Sequence, residues 1–152
     1  MTVDPVLREI GQQDRGELVA IDEAAREGVA AQRGGSAWLA GHPALARRWS
    51  PDADAPLGWV ALIDDVIVGF LLLDIVSLAE RGSVAMVDRV FVVAEARELG
   101  CGDALLAVAE GAARTRGCVA LEGIALPGDR ETKNLYERAG VVARSITVSK
   151  NL

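Results

Sequence analysis

The sequence predicts an α/β fold of the α+β type, a mixed sheet flanked by helices, and three observations lead there. Two apolar runs, residues 58–63 and 66–73, are joined by Asp64-Asp65, the mark of a tight antiparallel hairpin, and a valine-rich third run follows at 83–93. A turn, Arg97-Glu98-Leu99-Gly100-Cys101-Gly102, then hands this run to an amphipathic segment, 101–116, with Leu105, Val108, Ala109 and Ala112 at helical spacing. After it, apolar runs at 119–125 and 141–148 flank one more helical segment, so crossovers follow an antiparallel meander and the sheet must be mixed.

The elements follow in chain order. Residues 6–10 can form a first strand. Asp14-Arg15-Gly16-Glu17 starts a helix, an acceptor side chain followed three residues later by a glutamate, and Leu18, Ile21 and Ala25 recur behind it on one face. Arg33-Gly34-Gly35-Ser36 breaks that helix. A second helical piece runs through Trp38 and Leu39 until His42-Pro43 interrupts it. Residues 51–56, bounded by prolines, form a loop. Arg114, Arg116 and Gly117 close the helix that starts at Cys101, and Pro127-Gly128 is a turn. Asp129 caps a last helix over 130–139, which Gly140 ends, and 141–148 is a final strand.

Composition bounds the function. One domain spanning 1–152 is expected, 51% apolar and 25% charged. A domain of this size buries about 68–70% of its unfolded surface and needs no staple. The two cysteines, Cys101 and Cys118, are far apart and His42 is the single histidine, so no zinc set can be assembled. Residues 1–5 lack the basic and apolar regions of a signal peptide. The longest apolar stretch, 66–79, contains Asp74 and is too short to span a bilayer. A cytoplasmic protein with no membrane partner is expected. A net charge of −6 argues against nucleic acid as the partner, because duplex binding neutralises phosphates with Lys and Arg.

The glycine-bearing turn is the most informative stretch. A strand that turns into a helix N-terminus leaves backbone N–H groups without helical partners, and they and the helix dipole favour phosphate. Glu98-Leu99-Gly100-Cys101-Gly102-Asp103 resembles the first motif of S-adenosylmethionine-dependent methyltransferases, with Glu122 near the ribose-binding position. The third glycine of that motif is Ala104 here, however, and the 50 residues after Gly102 are too few to complete a doubly wound sheet. A dinucleotide fingerprint is incomplete for the same reason.

Arg97-x-x-Gly100-x-Gly102 also matches the Gln/Arg-x-x-Gly-x-Gly/Ala motif of the GNAT acetyltransferase superfamily. About thirty residues on, Lys133-Asn134-Leu135-Tyr136-Glu137-Arg138-Ala139-Gly140 resembles that family's second signature, Leu-Tyr-x-x-x-Gly. The hairpin ending Val66-Ile67-Val68-Gly69-Phe70 looks like its central strands. The resemblance covers roughly residues 58–148 and implies a mostly antiparallel sheet of about six to seven strands flanked by helices. It also implies acetyl-CoA as cofactor and acetyl transfer to a primary amine on a small molecule or peptide. It admits a homodimer, which no residue pattern here shows.

Carried onto this sequence, the resemblance places the pyrophosphate on the amides of Glu98, Leu99, Gly100, Cys101, Gly102 and Asp103. Arg97 is either an added cation there or a solvated loop residue. The pantetheine arm would pair with the backbone of Val90, Phe91 and Val92. Tyr136 would act as general acid toward the CoA thiolate; otherwise it is a tyrosine half-buried against the sheet. Asp129 stands where the family has asparagine on the cofactor arm; ionised, it accepts hydrogen bonds and donates none, and a plain N-cap explains it equally. Asp88 is the candidate base: by strand alternation it shares a face with Val84, Met86, Val90 and Val92, where a carboxylate is either paired or functional. Position 124, a glutamate base in some relatives, is Ile124. Cys101 has no base partner and is no nucleophile. Trp38 and Trp49, in the span expected to choose the acceptor, either line a pocket or cap the core. A non-catalytic acyl-CoA-binding module is the alternative from another class.

Overall fold

In the computed structural model, which describes residues 4–152, the order is β1 (Val6–Glu9), α1 (Arg15–Ala30), α2 (Gly35–Gly41), α3 (Leu45–Arg48), β2 (Gly58–Ile63), β3 (Val66–Leu78), β4 (Gly82–Val92), α4 (Cys101–Thr115), β5 (Ala120–Glu122) and α5 (Arg130–Arg138). The strands form one sheet in the order β1-β2-β3-β4-β5, antiparallel except for the parallel β4–β5 pair. Asp64 and Asp65 turn the β2–β3 hairpin with φ of 49° and 64°. Aspartate tolerates this left-handed region, which matches the strand twist. Asp14 starts α1 differently from expectation: its carboxylate turns back to the Gly11 amide and to Arg8, gives α1 no cap bond, and so ties β1 to the helix.

Two apolar layers sandwich the sheet. Leu105, Leu106, Ala109 and Ala113 of α4 pack with Leu135 and Tyr136 of α5 on Ala61, Leu71, Leu73, Ala85 and Val87. On the opposite face Leu18 of α1, Leu45 of α3 and Trp49 cover Val60, Phe70 and Leu72.

Three departures from the sequence reading shape the site. First, β4 is bulged: Leu72 pairs Arg89 while Leu73 pairs Val87, which leaves Asp88 without a cross-strand partner. The bulge resets the alternation, so Val90 and Val92 join Ala85 and Val87 in the α4 layer. Asp88 therefore does not share their face, as strict alternation had it; it turns toward α1 and α3 with Arg89. Second, β5 is only three residues long, against the expected 119–125. Its pairing stops at Met86↔Glu122, and the next residue, Gly123, lies under the Tyr136 ring. A Cβ at Gly123 would stand 2.1 Å from the Tyr136 hydroxyl, so only glycine fits here. Third, residues 141–148 form no strand, and the sheet has five strands rather than six to seven. Gly140, at φ 80°, ends α5, and everything from Val142 onward is exposed. A strand needs a paired edge, and this segment touches none.

Among the described residues no helix is long and apolar enough to cross a membrane.

Candidate active site

The site begins where β4 ends. Beyond Met86, β4 keeps β3 on one side, through Gly69↔Val92, and has no strand on the other. Backbone groups of the stretch holding Val90, Phe91 and Val92 therefore face a gap. The chain then turns through Glu98 (φ 66°) and Gly100 (φ 82°) into α4. Nothing lies within 4 Å of a Cβ built on Gly100, so glycine serves the backbone angle there; at Gly102 a Cβ would press on Leu135 of α5, at 3.3 Å. Among the described residues, the N–H groups of Glu98, Leu99, Gly100, Cys101, Gly102 and Asp103 donate to no acceptor, and the first helical bond is Ala104 N–H to Gly100 C=O. Six unpaired donors at the positive end of a 15-residue helix make an anion cradle. Arg97 leans on Glu131 at 3.3 Å, an exposed pair, and Asp103 is held by Arg138 at 2.9 Å. The Cys101 side chain is buried beneath the turn, and burial pushes its thiol pKa up, which makes it a poor nucleophile.

Alongside the gap lies an open cleft with Trp38, Asp88, Phe91, Ile124 and Tyr136 on its walls. Tyr136 is 6% exposed. Burial, and then the nearby Asp129 carboxylate, push its phenol well above the usual tyrosine value. The hydroxyl is not sealed in, because Gln32 Oε1 is the single enclosed, unpartnered side-chain polar atom among the described residues. Asp129 is spent on the N-cap of α5: Oδ1 accepts from the Thr132 amide at 3.1 Å and Oδ2 from its hydroxyl at 2.6 Å.

A buried charge network supports the cleft wall. Arg89 donates to Asp22 at 2.7 Å, to the Pro43 carbonyl at 2.8 Å and to Asp88 Oδ2 at 2.6 Å. The second Asp22 oxygen accepts from the Leu45 amide at 2.8 Å. Arg48 bridges Asp74 and Asp88, reaching Asp88 Oδ2 at 2.8 Å. Both arginines thus use the same Asp88 oxygen, and Oδ1 has no donor among the described residues.

The tertiary structure brings Asp88, Val90, Phe91, Asp129 and Tyr136 to one cleft and groups residues 97–103 at its far end of β4. Of the two tryptophans, Trp38 lines the cleft, stacked on His42 at 4.1 Å, and Trp49 is core. Sequence reasoning missed Asp22, Arg89 and Gly123. A charged residue inside a valine-rich strand, and an aspartate four residues after Leu18 on the apolar face of α1, were the available signals.

The profile of the Acetyltransferase (GNAT) family matches residues 19–141. Among solved structures, the chain resembles an aminoglycoside N-acetyltransferase, AAC(6')-Iy, in complex with CoA: TM-score 0.69, 18% identity, covering 100% of this chain and 98% of that one. It also resembles an acetyltransferase of Trypanosoma brucei (0.68, 22%, covering 98% and 100%). A third is a ribosomal-protein-alanine N-acetyltransferase of Brucella melitensis (0.68, 20%, covering 97% and 97%). At these identities the likeness is one of fold. No curated protein matches the sequence.

Proposed function

This chain belongs to the acetyltransferase (GNAT) family, and from that membership we propose that it moves the acetyl group of acetyl-CoA to a primary amine entering the cleft beside Tyr136. One observation carries the reading: β4 loses its β5 partner after Met86, and the turn at its end presents six amides without acceptors. A diphosphate fits those donors, and a chain bearing amide groups fits the open β4 edge. Acetyl-CoA would supply an acyl group activated as a thioester, with a thiol as leaving group.

Each residue then has a task. The amides of Glu98 through Asp103 hold the diphosphate, and Arg97, tied only to an exposed glutamate, can turn to add charge. Backbone groups of Val90, Phe91 and Val92 align the pantetheine arm, and an N–H of that edge polarises the thioester carbonyl. Tyr136 keeps a proton on its hydroxyl for the departing sulfur. With ordinary values of about 10 for a phenol and about 8.5 for a thiol, full transfer is uphill by about 2 kcal/mol. The raised phenol enlarges that gap, so Tyr136 gives the thiolate a hydrogen bond rather than a free proton. Asp88 receives the incoming ammonium at Oδ1 and accepts its proton, while the two arginines on Oδ2 hold the carboxylate in place.

The acceptor follows from the walls. Val29, Trp38, Phe91, Ile124 and Leu126 are apolar, while Asp129 is occupied by its cap and Asp88 is half occupied by arginines. A small amine with an apolar or aromatic body fits this cleft better than a polycation. Steady-state acetylation of arylalkylamines, an aminoglycoside and an N-terminal peptide tests the reading. The expected order of kcat/KM puts the arylalkylamines first, and Tyr136→Phe lowers kcat by about 10²–10³-fold, the span for losing one hydrogen-bond donor to a developing anion. Acetyl-CoA binding without transfer to any amine would leave a binding module instead.

A further inference from the structure

His42-Pro43 ends α2, and the acetyl-transfer steps leave it without a task. The fold makes it the back of an aromatic wall. The His42 imidazole lies face to face on the Trp38 indole, ring centroids 4.1 Å apart and planes 7° from parallel. Its Nδ1 stands 2.7 Å from the Trp38 carbonyl oxygen and donates to it, since a carbonyl only accepts. Positions 38 and 42 are one helical turn apart, so the backbone sets the pair. The exit from α2 is then pinned twice: Arg26 donates to the His42 carbonyl at 2.6 Å, and Arg89 to the Pro43 carbonyl at 2.8 Å. A helix of seven residues leaves a tryptophan free to change rotamer; the stacked imidazole and the pinned carbonyls remove that freedom.

Trp38 and Phe91 line the same cleft as Asp88 and Tyr136. Their ring centroids are 6.1 Å apart and their planes 59° apart, and Phe91 is itself held edge-on to buried Phe70 at 6.0 Å. Trp38 is half-buried, and His42 is its one parallel ring partner among the described residues. A flat ring lying parallel to the indole therefore meets Phe91 at a tilt, and offset-stacked and tilted contacts are the two that aromatic pairs prefer. Val29, Ile124 and Leu126 add apolar area without this geometry. Arg89 ties the wall to the carboxylate, because it donates both to the Pro43 carbonyl and to Asp88 at 2.6 Å. One buried side chain thus fixes the aromatic wall relative to Asp88.

We propose that Trp38 is a specificity-determining residue for the acceptor and His42 its positioning residue. Together they select a primary amine whose body is a planar aromatic ring, stacked on the indole, over one of equal carbon count that is saturated. The inference rests on the reading in which Asp88 receives the acceptor ammonium. Any monoamine gains alike at Asp88, so discrimination comes from the ring.

Calorimetric titration with phenethylamine and with cyclohexylethylamine, each with and without saturating CoA, tests it. The two are monocations of one carbon skeleton and differ in whether the ring is flat and aromatic. Phenethylamine is expected to bind about fivefold more tightly, the worth of one aromatic pair beyond its buried area. Trp38→Leu should bring the ratio to about one, and Trp38→Phe should keep most of the preference. His42→Leu leaves the indole without its backing and should weaken phenethylamine by about threefold, with cyclohexylethylamine unchanged. Wild-type protein that binds the two amines alike, or binds neither, overturns the proposal, as does a preference that survives Trp38→Leu. Wild-type affinity for phenethylamine in His42→Leu overturns the positioning role. Acetyl transfer to the same amines, followed in parallel, judges the catalytic reading separately: an aromatic preference in binding with no acetylated product supports the aromatic wall and refutes the transfer.

Discussion

At the scale of single residues, Tyr136 is the proposed donor to the departing sulfur, and it is the one tyrosine in the chain. Its phenolate absorbance therefore reports one group. Because burial raises the folded phenol, the stability linked to it is fully present below the ordinary tyrosine value of about 10 and is lost as pH climbs from there through the folded value. Titration at 295 nm should show no phenolate near pH 10, with ionisation accompanying alkaline unfolding; Tyr136→Phe should flatten that alkaline limb. A phenol ionising near pH 10 in the folded protein would contradict the buried placement. Gly123→Ala puts a methyl where the Tyr136 hydroxyl lies, so it should lower kcat while leaving acetyl-CoA affinity within about twofold. Tyr136 was legible from its motif. Gly123 was not, because the need for a missing Cβ arises only when α5 crosses the end of β5.

At the scale of elements, the bulge in β4 and its charge network set one wall of the cleft. Arg89 joins β4 to α1 through Asp22 and to the loop before α3 through Pro43. Asp22 and Arg89 are both buried, so removing one strands the other: Asp22→Ala or Arg89→Met should each cost about 3–5 kcal/mol in urea denaturation. Replacing both by apolar residues of similar volume should recover much of that loss, since an apolar pair has no desolvation penalty. A single variant as stable as wild type would mean the network bears no load. Here the sequence misled: strict alternation put Asp88 beside Val90 and Val92, whereas the extra residue of the bulge sends it to the other face. Nothing local in Val87-Asp88-Arg89-Val90 marks a bulge, because it is imposed by the partners Leu72 and Leu73.

At the scale of the molecule, the proposed cofactor site combines the gap between β4 and β5 with the unpaired amides at the end of β4. Thermal unfolding with acetyl-CoA, S-adenosylmethionine or NAD checks this. At 100 times its Kd, a ligand that binds only the folded state adds about 2.7 kcal/mol. Acetyl-CoA is expected to stabilise and the other two are not. Stabilisation by S-adenosylmethionine alone would overturn the acetyl-transfer reading.

What the sequence determined by itself was periodic or local: the meander, the turn with its glycines, the amphipathic α4, the cap at Asp129 and the place of Tyr136. Those follow from side-chain period and backbone angle, which neighbouring residues set. The tertiary structure alone decided the bulge at Asp88, the early end of β5, the burial that shifts Tyr136 and the absence of a sixth strand. Each of these depends on which distant segment lies alongside, and pairing and desolvation are settled only when the elements meet.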